Sequence, residues 1–401
     1  MTKQVAKKLS MCVVAAAVTI LCGSANSASA PADENVRVIV SFKAGAKTAM
    51  KSVAGSLNGT VKSEIFGTNA VSMEVPRSAL KGLENNPNVE FIEEDFKRYP
   101  LALTTPSTGT PYYTGQQVPY GIKMVQADVL PDTNAANRKV CIIDSGLDRS
   151  HEDLSGNTMT GEYDSGTGWW YTDTNSHGTH VAGTIAAINN SGVGVVGVNA
   201  NRRIKLHIVK VFSASGWAYS SDLATAANKC KAAGANVISM SLGGSGSSTT
   251  ESNAFANIAA AGILSIAAAG NAGNSSQSYP AGYSSVVSVA AVDEYKQWAS
   301  FSQYNSKVEL AGPGVQVYST LPVAKGRYGY MSGTSMATPH VAAVAALVWS
   351  YFPTCTASQI RTSLANSAQD LGTAGRDTRY GYGLVQAKTA YDRIRSLGCG
   401  R

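Results

Sequence analysis

The sequence is 401 residues long, 44% hydrophobic and 15% charged, with 39 glycines and a formal net charge of +7. These figures exclude a disordered or fibrous chain and leave room for one large packed domain with a smaller companion. The positive charges are scattered rather than gathered in a stripe, so no nucleic-acid partner is expected.

In chain order, the first feature is an export signal. Lys3, Lys7 and Lys8 precede an apolar run from Leu9 to Leu21, and Ala28-Ser29-Ala30 follows. Cleavage is expected after Ala30, which makes the protein secreted and extracellular. The run falls short of the ~20 apolar residues that span a bilayer, and no later stretch approaches that length, so no membrane attachment is expected. Cys12 and Cys22 leave with the signal. Cys141, Cys230, Cys355 and Cys399 then enter an oxidising compartment as an even set, which points to two disulfides. A Cys355–Cys399 bridge would pin the terminal helix and leave Cys141 for Cys230, unless Cys141 is a free buried thiol.

Val36 to Phe42, Ala70 to Val75 and Val89 to Ile92 read as strands, with a helix from Ala46 to Leu57 and a second one later. This is a small α+β unit, marginal in stability because so short a segment buries little apolar area. From Pro100 to Gln117 the chain is crowded with Pro, Thr, Ser and Gly, the composition of a linker.

Beyond it, short apolar runs alternate with helical stretches. Lys139 to Ile143, Ile204 to Phe212, Val237 to Leu242, Ile263 to Ala269 and Val286 to Val292 are the apolar runs. His180 to Ile188, Ser221 to Ala233, Asn253 to Ala261 and Met336 to Phe352 read as helices. Strands apolar on both faces imply a parallel sheet covered on both sides, an α/β fold. Ligands bind beyond the carboxyl ends of such strands, where Asp144, Ser241 and Asn271 would converge.

A hydroxyl nucleophile needs a base, and a histidine base needs an acceptor on its other ring nitrogen. Of five histidines, His151 and His207 lack a Gly-rich setting and His340 falls inside an apolar helix. His177 instead stands in Asn175-Ser176-His177-Gly178-Thr179-His180, where small residues open a helix. Ser335 lies in Gly333-Thr334-Ser335-Met336-Ala337-Thr338-Pro339-His340, a small-residue turn running into the long helix. Backbone amides at a helix start favour a developing oxyanion. Pro339 reads as a first-turn proline, tolerated because first-turn amides lack helical partners. A metallohydrolase pairing His177 with His180 would lack a third ligand and an acidic base.

Asp144-Ser145-Gly146, His177-Gly178-Thr179-His180 and Gly333 to His340, in that order, resemble the subtilisin family from about Val118 to Leu384. The resemblance implies a three-layer subtilisin-like domain with a mostly parallel sheet, and a serine endopeptidase that works through an acyl-enzyme. It implies Ser335 as nucleophile, His177 as base and acid, Asp144 as orienting partner and Asn271 as oxyanion donor. Ser241-Leu242-Gly243 and Gly216-Trp217-Ala218-Tyr219 resemble the two segments that sandwich an extended peptide substrate. Ala268 to Gly270 and Ser278 resemble the pocket walls for the residue before the cut, with a preference for large apolar side chains. The first segment resembles the family's ferredoxin-like propeptide, an intramolecular chaperone and inhibitor whose tail occupies the cleft. The implied divisions are a signal at 1–30, a propeptide at 31–101 and a catalytic domain at 102–401, acting as a monomer on proteins and peptides. A structural Ca2+ is implied at Gln116, Asp153, Asn190 and the carbonyls of Ile188 and Val195, with Gly192 or Val193 between them. The rival reading is a catalytically inactive binding or chaperone protein on the same fold.

Overall fold

The computed structural model describes residues 34–46, 50–102, 115–190, 192–213 and 216–401. The export signal and residues 103–114 of the stretch read as a linker lie outside the described residues.

The first unit runs β1 (Asn35–Phe42), α1 (Met50–Ser56), β2 (Thr60–Glu64), β3 (Ala70–Pro76), α2 (Leu80–Glu84) and β4 (Val89–Glu94). Its antiparallel sheet has the order β2-β3-β1-β4, a ferredoxin-like arrangement. Side chains alternate across a strand, so Val38, Val40 and Phe42 face Met73, Val75 and Leu83 in this unit's own core. Ile39 points the other way and packs with Ile65 against Ala224 and Ala254 of the larger unit. The small sheet is therefore clamped between its own helices and its neighbour's.

β5 (Lys97–Pro100) joins the two units. The larger unit continues with α3 (Tyr120–Met124), β6 (Lys139–Asp144), β7 (Thr158–Gly161), β8 (Tyr163–Asp164), β9 (Gly168–Trp169), α4 (His177–Ala186), β10 (Lys205–Lys210), β11 (Ala218–Tyr219) and α5 (Ser220–Ala232). There follow β12 (Val237–Met240), β13 (Leu242–Gly243), α6 (Thr249–Ala260), β14 (Leu264–Ala268), β15 (Val286–Val292), β16 (Val308–Pro313), β17 (Val317–Thr320), β18 (Tyr328–Met331), α7 (Thr334–Tyr351), α8 (Ala357–Ser367) and α9 (Ala387–Leu397).

Seven strands form one parallel sheet in the order β16-β15-β14-β12-β6-β10-β7. Strand alternation sorts its two faces. Val140 and Ile142 of β6 join a core with α4 and α7, while Cys141 and Ile143 join one with α5 and α6. Helix α7 is buried along nearly its whole length, and each of its Val341, Val344, Leu347 and Val348 side chains contributes about 1.5–3 kcal/mol by leaving water. Cys141 is bonded to Cys230, tying β6 to α5, and Cys355 to Cys399, tying the residues after α7 to those after α9. Among the described residues no helix is long and apolar enough to cross a membrane.

Two sequence readings need correction. Pro100 closes β5 and Gln117 bridges Val195, so the linker is shorter at both ends. Pro339 sits inside α7 rather than in its first turn. Lacking an N–H, it leaves the Ser335 carbonyl four residues earlier without a helical donor. The Ser241 hydroxyl donates to that carbonyl at 2.7 Å, so the break is repaired from the residue between β12 and β13.

Candidate active site

Asp144 ends β6 and His177 begins α4, with the His177 Nδ1 2.8 Å from Asp144 Oδ1 and 3.0 Å from Oδ2. Ser145 N–H also donates to Asp144 Oδ1 at 2.7 Å, which fixes the carboxylate. Gly178 lets α4 come this close, since an added Cβ would stand 2.0 Å from the Gly146 carbonyl oxygen. His177 Nε2 is buried and has no hydrogen-bond partner among the described residues.

Ser335 lies in the first turn of α7, and its hydroxyl donates to the Ser241 carbonyl at 2.7 Å. The structure thus brings Asp144 and His177 into contact but turns the Ser335 hydroxyl toward the strand. Asn271 is held by Thr334, whose N–H and hydroxyl donate to its Oδ1 at 2.9 and 2.8 Å. Its Nδ2 is thereby aimed into the cleft, where it donates to the Leu101 carbonyl at 2.5 Å. Ser335 N–H donates to the same oxygen at 3.4 Å. Gly333, with φ at +153°, permits this approach, because a Cβ there would stand 2.3 Å from the Leu101 oxygen.

Leu101 belongs to the tail of the first unit. β5 is the middle strand of a three-stranded antiparallel sheet, β11-β5-β13. Arg98 and Lys97 face Ala218 and Tyr219, and Tyr99 and Pro100 face Gly243 and Leu242. Leu101 N–H extends the pairing to the Ser241 carbonyl at 3.2 Å. Trp217 lies under the Lys97 ammonium, 4.6 Å from ring centre to nitrogen, and Gly216 turns the chain ahead of it with φ at +72°. Ala268 is buried at the end of β14, and Gly270 N–H donates to the Thr334 hydroxyl behind Asn271. Two carboxylates of the first unit cap helices flanking the cleft. Glu93 accepts from Thr249 and Thr250 N–H at the start of α6. Asp95 accepts from Ser221 N–H at the start of α5 and from Arg37.

Several residues escaped sequence reasoning. Asp173 accepts from Ser176 N–H, from Thr179 N–H and hydroxyl, and from the Ser145 hydroxyl, so it caps α4 and braces Asp144 together. Burial pushes its carboxyl up, against those hydrogen bonds. An Asp shortly before a helical histidine was the available signal. Thr334 carried no signal beyond its place beside Ser335. Glu251 and Tyr283, which line the far end of the cleft, carried none. His180 and His340 are packing residues, with Nε2 of the first near the Val317 carbonyl and Nδ1 of the second near that of Met336.

Away from the cleft, Gln116, Asp153, Ile188, Asn190 and Val195 gather at one place. Gln116 Nε2 donates to the Ile188 carbonyl at 2.8 Å, Asn190 Oδ1 at 3.2 Å and the Val195 carbonyl at 3.4 Å. Asp153 accepts from Asn190 Nδ2 and Val195 N–H. Burial raises the Asp153 carboxyl above its usual range. Ser191 of this loop lies outside the described residues.

Comparison with known proteins locates two family matches. Residues 135–383 match the subtilase family, and residues 35–95 match the fervidolysin N-terminal prodomain. Subtilisin DY of Bacillus licheniformis is 43% identical over 285 residues, 69% of this chain and 99% of its own. Subtilisin E of Bacillus subtilis (strain 168) is 38% identical over 364 residues, 88% of this chain and 90% of its own. Among solved structures, the psychrophilic subtilisin-like protease Apa1 of Pseudoalteromonas sp. AS-11 aligns with a TM-score of 0.67 at 37% identity, over 71% of this chain and 99% of that one. Fervidolysin of Fervidobacterium pennivorans, a keratinolytic enzyme related to subtilisin, aligns with a TM-score of 0.74 at 28% identity, over 90% of this chain and 61% of that one.

Proposed function

The chain belongs to the subtilase family, as a subtilisin-like serine endopeptidase precursor with a propeptide, and on that footing we propose that the first bond it cuts is its own Leu101–Ala102. In this reading Ser335 is the nucleophile, His177 the base and then the acid, and Asp144 the acceptor that holds the tautomer of His177. Asn271 Nδ2 and Ser335 N–H are the oxyanion donors. The observation that carries the reading is the Leu101 carbonyl, which accepts from both of those donors at the end of an added strand.

The chemistry follows from the geometry. Ser335 Oγ turns from the Ser241 carbonyl toward His177 Nε2, passes its proton there and attacks the Leu101 carbonyl carbon. The displaced electron pair rests on the carbonyl oxygen between its two donors. As the bond to nitrogen breaks, His177 returns the proton to the Ala102 amine. Water, deprotonated in turn by His177, then attacks the ester carbonyl, and His177 passes that proton to Ser335 Oγ as the Leu101 carboxyl leaves.

With removal of the signal at 1–30, the cut divides the chain into a propeptide at 31–101 and a protease at 102–401, which we read as a secreted monomer acting on proteins and peptides. A preference for large apolar residues before the cut follows from Leu101. A Cβ on Gly243 would stand 2.3 Å from the Ser278 hydroxyl and 3.0 Å from Leu101 Cδ1, so glycine there keeps room for that side chain. N-terminal sequencing of the matured protein should read Ala102, and full-length Ser335→Ala should stay uncut. Efficient maturation of pure Ser335→Ala, or a first cut elsewhere, would sink the assignment.

A structural calcium is the second element of the proposal. The Gln116 amide nitrogen has two hydrogens yet stands within reach of three oxygens, with the Asp153 carboxylate alongside. Turned over, the amide adds its own oxygen to the set, and such a donor set suits a hard, oxygen-preferring cation. When bound, calcium would supply the charge that holds Gln116 and the loop of residues 188–195 together.

A further inference from the structure

Arg98 is the fourth residue before the proposed cut, and its side chain is wholly buried, whereas Tyr99 beside it is 45% exposed. A guanidinium has five N–H donors, and here each finds an acceptor. Nε and Nη2 fork onto the two oxygens of Glu251 at 3.2 and 2.6 Å. Nη2 also donates to the Gly246 carbonyl at 2.9 Å, and Nη1 to the carbonyls of Ser245 and Lys97 at 3.0 and 3.1 Å. Apart from the Lys97 carbonyl, every one of these acceptors belongs to the protease and stays when the propeptide leaves.

The receptor is built in advance. Glu251 is itself fully buried in the first turn of α6, and the Tyr283 hydroxyl donates to its Oε2 at 2.7 Å. Tyr283 in turn accepts from Ser248 N–H, which fixes the ring's reach. Once Arg98 departs, Glu251 keeps that single hydroxyl for its two oxygens. Burial already raises its carboxyl against the pull of the guanidinium. A buried carboxylate with one donor is costly, and a flat fork of N–H groups is the chemistry that satisfies it. Glu251 and the Ser245 and Gly246 carbonyls are then a socket for an incoming side chain, as well as a clasp for the departing one.

We infer that Glu251 makes the mature protease select substrates with arginine at the fourth position before the cut. The inference rests on the cleft assignment above. Sites built to hydrogen-bond a group reject analogues lacking it more sharply than apolar pockets do, so about 10²-fold or more is expected here.

The test takes the full chain, expressed and left to mature, and three internally quenched peptides, X-Tyr-Pro-Leu-Ala with X as Arg, Lys or Met. Cut sites are read by mass spectrometry. The expected result is cleavage after Leu in each, with kcat/KM for Arg about 10²-fold above Met and Lys between them. In Glu251→Gln the ratio of Arg to Met should collapse toward unity. Equal kcat/KM for Arg and Met in the parent enzyme, with cleavage after Leu intact, would overturn the inference and leave the socket as a propeptide clasp alone. Because the parent comparison decides by itself, failure of Glu251→Gln to fold does not rescue or sink the claim. Absence of cleavage after Leu in all three peptides would remove the cleft assignment, and this inference with it.

Discussion

The two ends of the cleft hold charge in opposite ways. At the catalytic end, Asp144, Asp173 and His177 are joined to one another through Ser145 and Thr179, all from one unit and close in sequence. At the far end the buried pair, Arg98 with Glu251, joins residues 153 positions apart on two units that a single cut would separate. One cluster is intrinsic to the larger unit and would survive the proposed cut. The other exists only while a peptide is seated, so it can tell one peptide from another.

The contrast can be attacked at its weaker end first. Replacing Arg98 with Ala in an uncut Ser335→Ala chain leaves Glu251 buried and unpaired, which should cost the docked state about 3–5 kcal/mol. The change should appear as a lower urea midpoint for release of the first unit, followed by the fluorescence of Trp217 under Lys97. Arg98→Met with Glu251→Leu should recover most of the loss, since an apolar pair of similar volume replaces a buried ion pair well. An unchanged midpoint in Arg98→Ala would erase the distinction between the two ends.

The proposed calcium loop belongs with the intrinsic side. Calcium at a hundredfold excess over its Kd would stabilise the mature enzyme by about 2.7 kcal/mol. Chelation should hasten thermal inactivation while sparing the initial rate on a peptide substrate. Identical inactivation in excess calcium and in excess chelator would dispose of the site.

Behind the catalytic end, burial pushes His180 down to about 3 and His340 to about 4. Between pH 6.5 and about 4 the unfolded chain binds protons that the folded one refuses. Stability is therefore complete above pH 6.5 and is lost as pH falls, by about 1.4 kcal/mol per pH unit for each histidine. His180→Gln in the Ser335→Ala chain should flatten the fall of melting temperature across that range. Equal slopes in both chains would show that His180 is not the source.

Legibility in the sequence followed the same divide. Strands buried on both faces show as continuous apolar runs, and Val286–Val292 reads the same in sequence and structure. The proposed catalytic residues stand in contiguous small-residue motifs, because glycine is needed wherever backbone must approach closely. By contrast, β16 (Val308–Pro313) hides behind Glu309, whose charge is buried only because Arg361 from α8 reaches it. Helix α8 is mostly polar and buries one narrow face, although Thr356 and Gln359 form a readable capping box. Ser248 and Glu251 look like an ordinary helix start, and Ser248 does cap α6. Nothing local says that Glu251 turns inward, because its partner arrives from a charged run, Lys97-Arg98, that reads as solvated surface.

β5 is covalently continuous with the sheet it completes, and this sets the kinetic order of activation. The tether holds the bond at the nucleophile at an effective concentration fixed by the chain and independent of dilution. The proposed first cut would therefore be unimolecular, at a rate independent of protein concentration. The severed strand would keep its pairings with β11 and β13, so the product of the proposed cut would at once be an inhibitor in a one-to-one complex. Escape then requires either dissociation or attack by a second molecule, and only this later stage gains speed with concentration. Free enzyme would therefore accumulate after a lag that shortens as more protein is present.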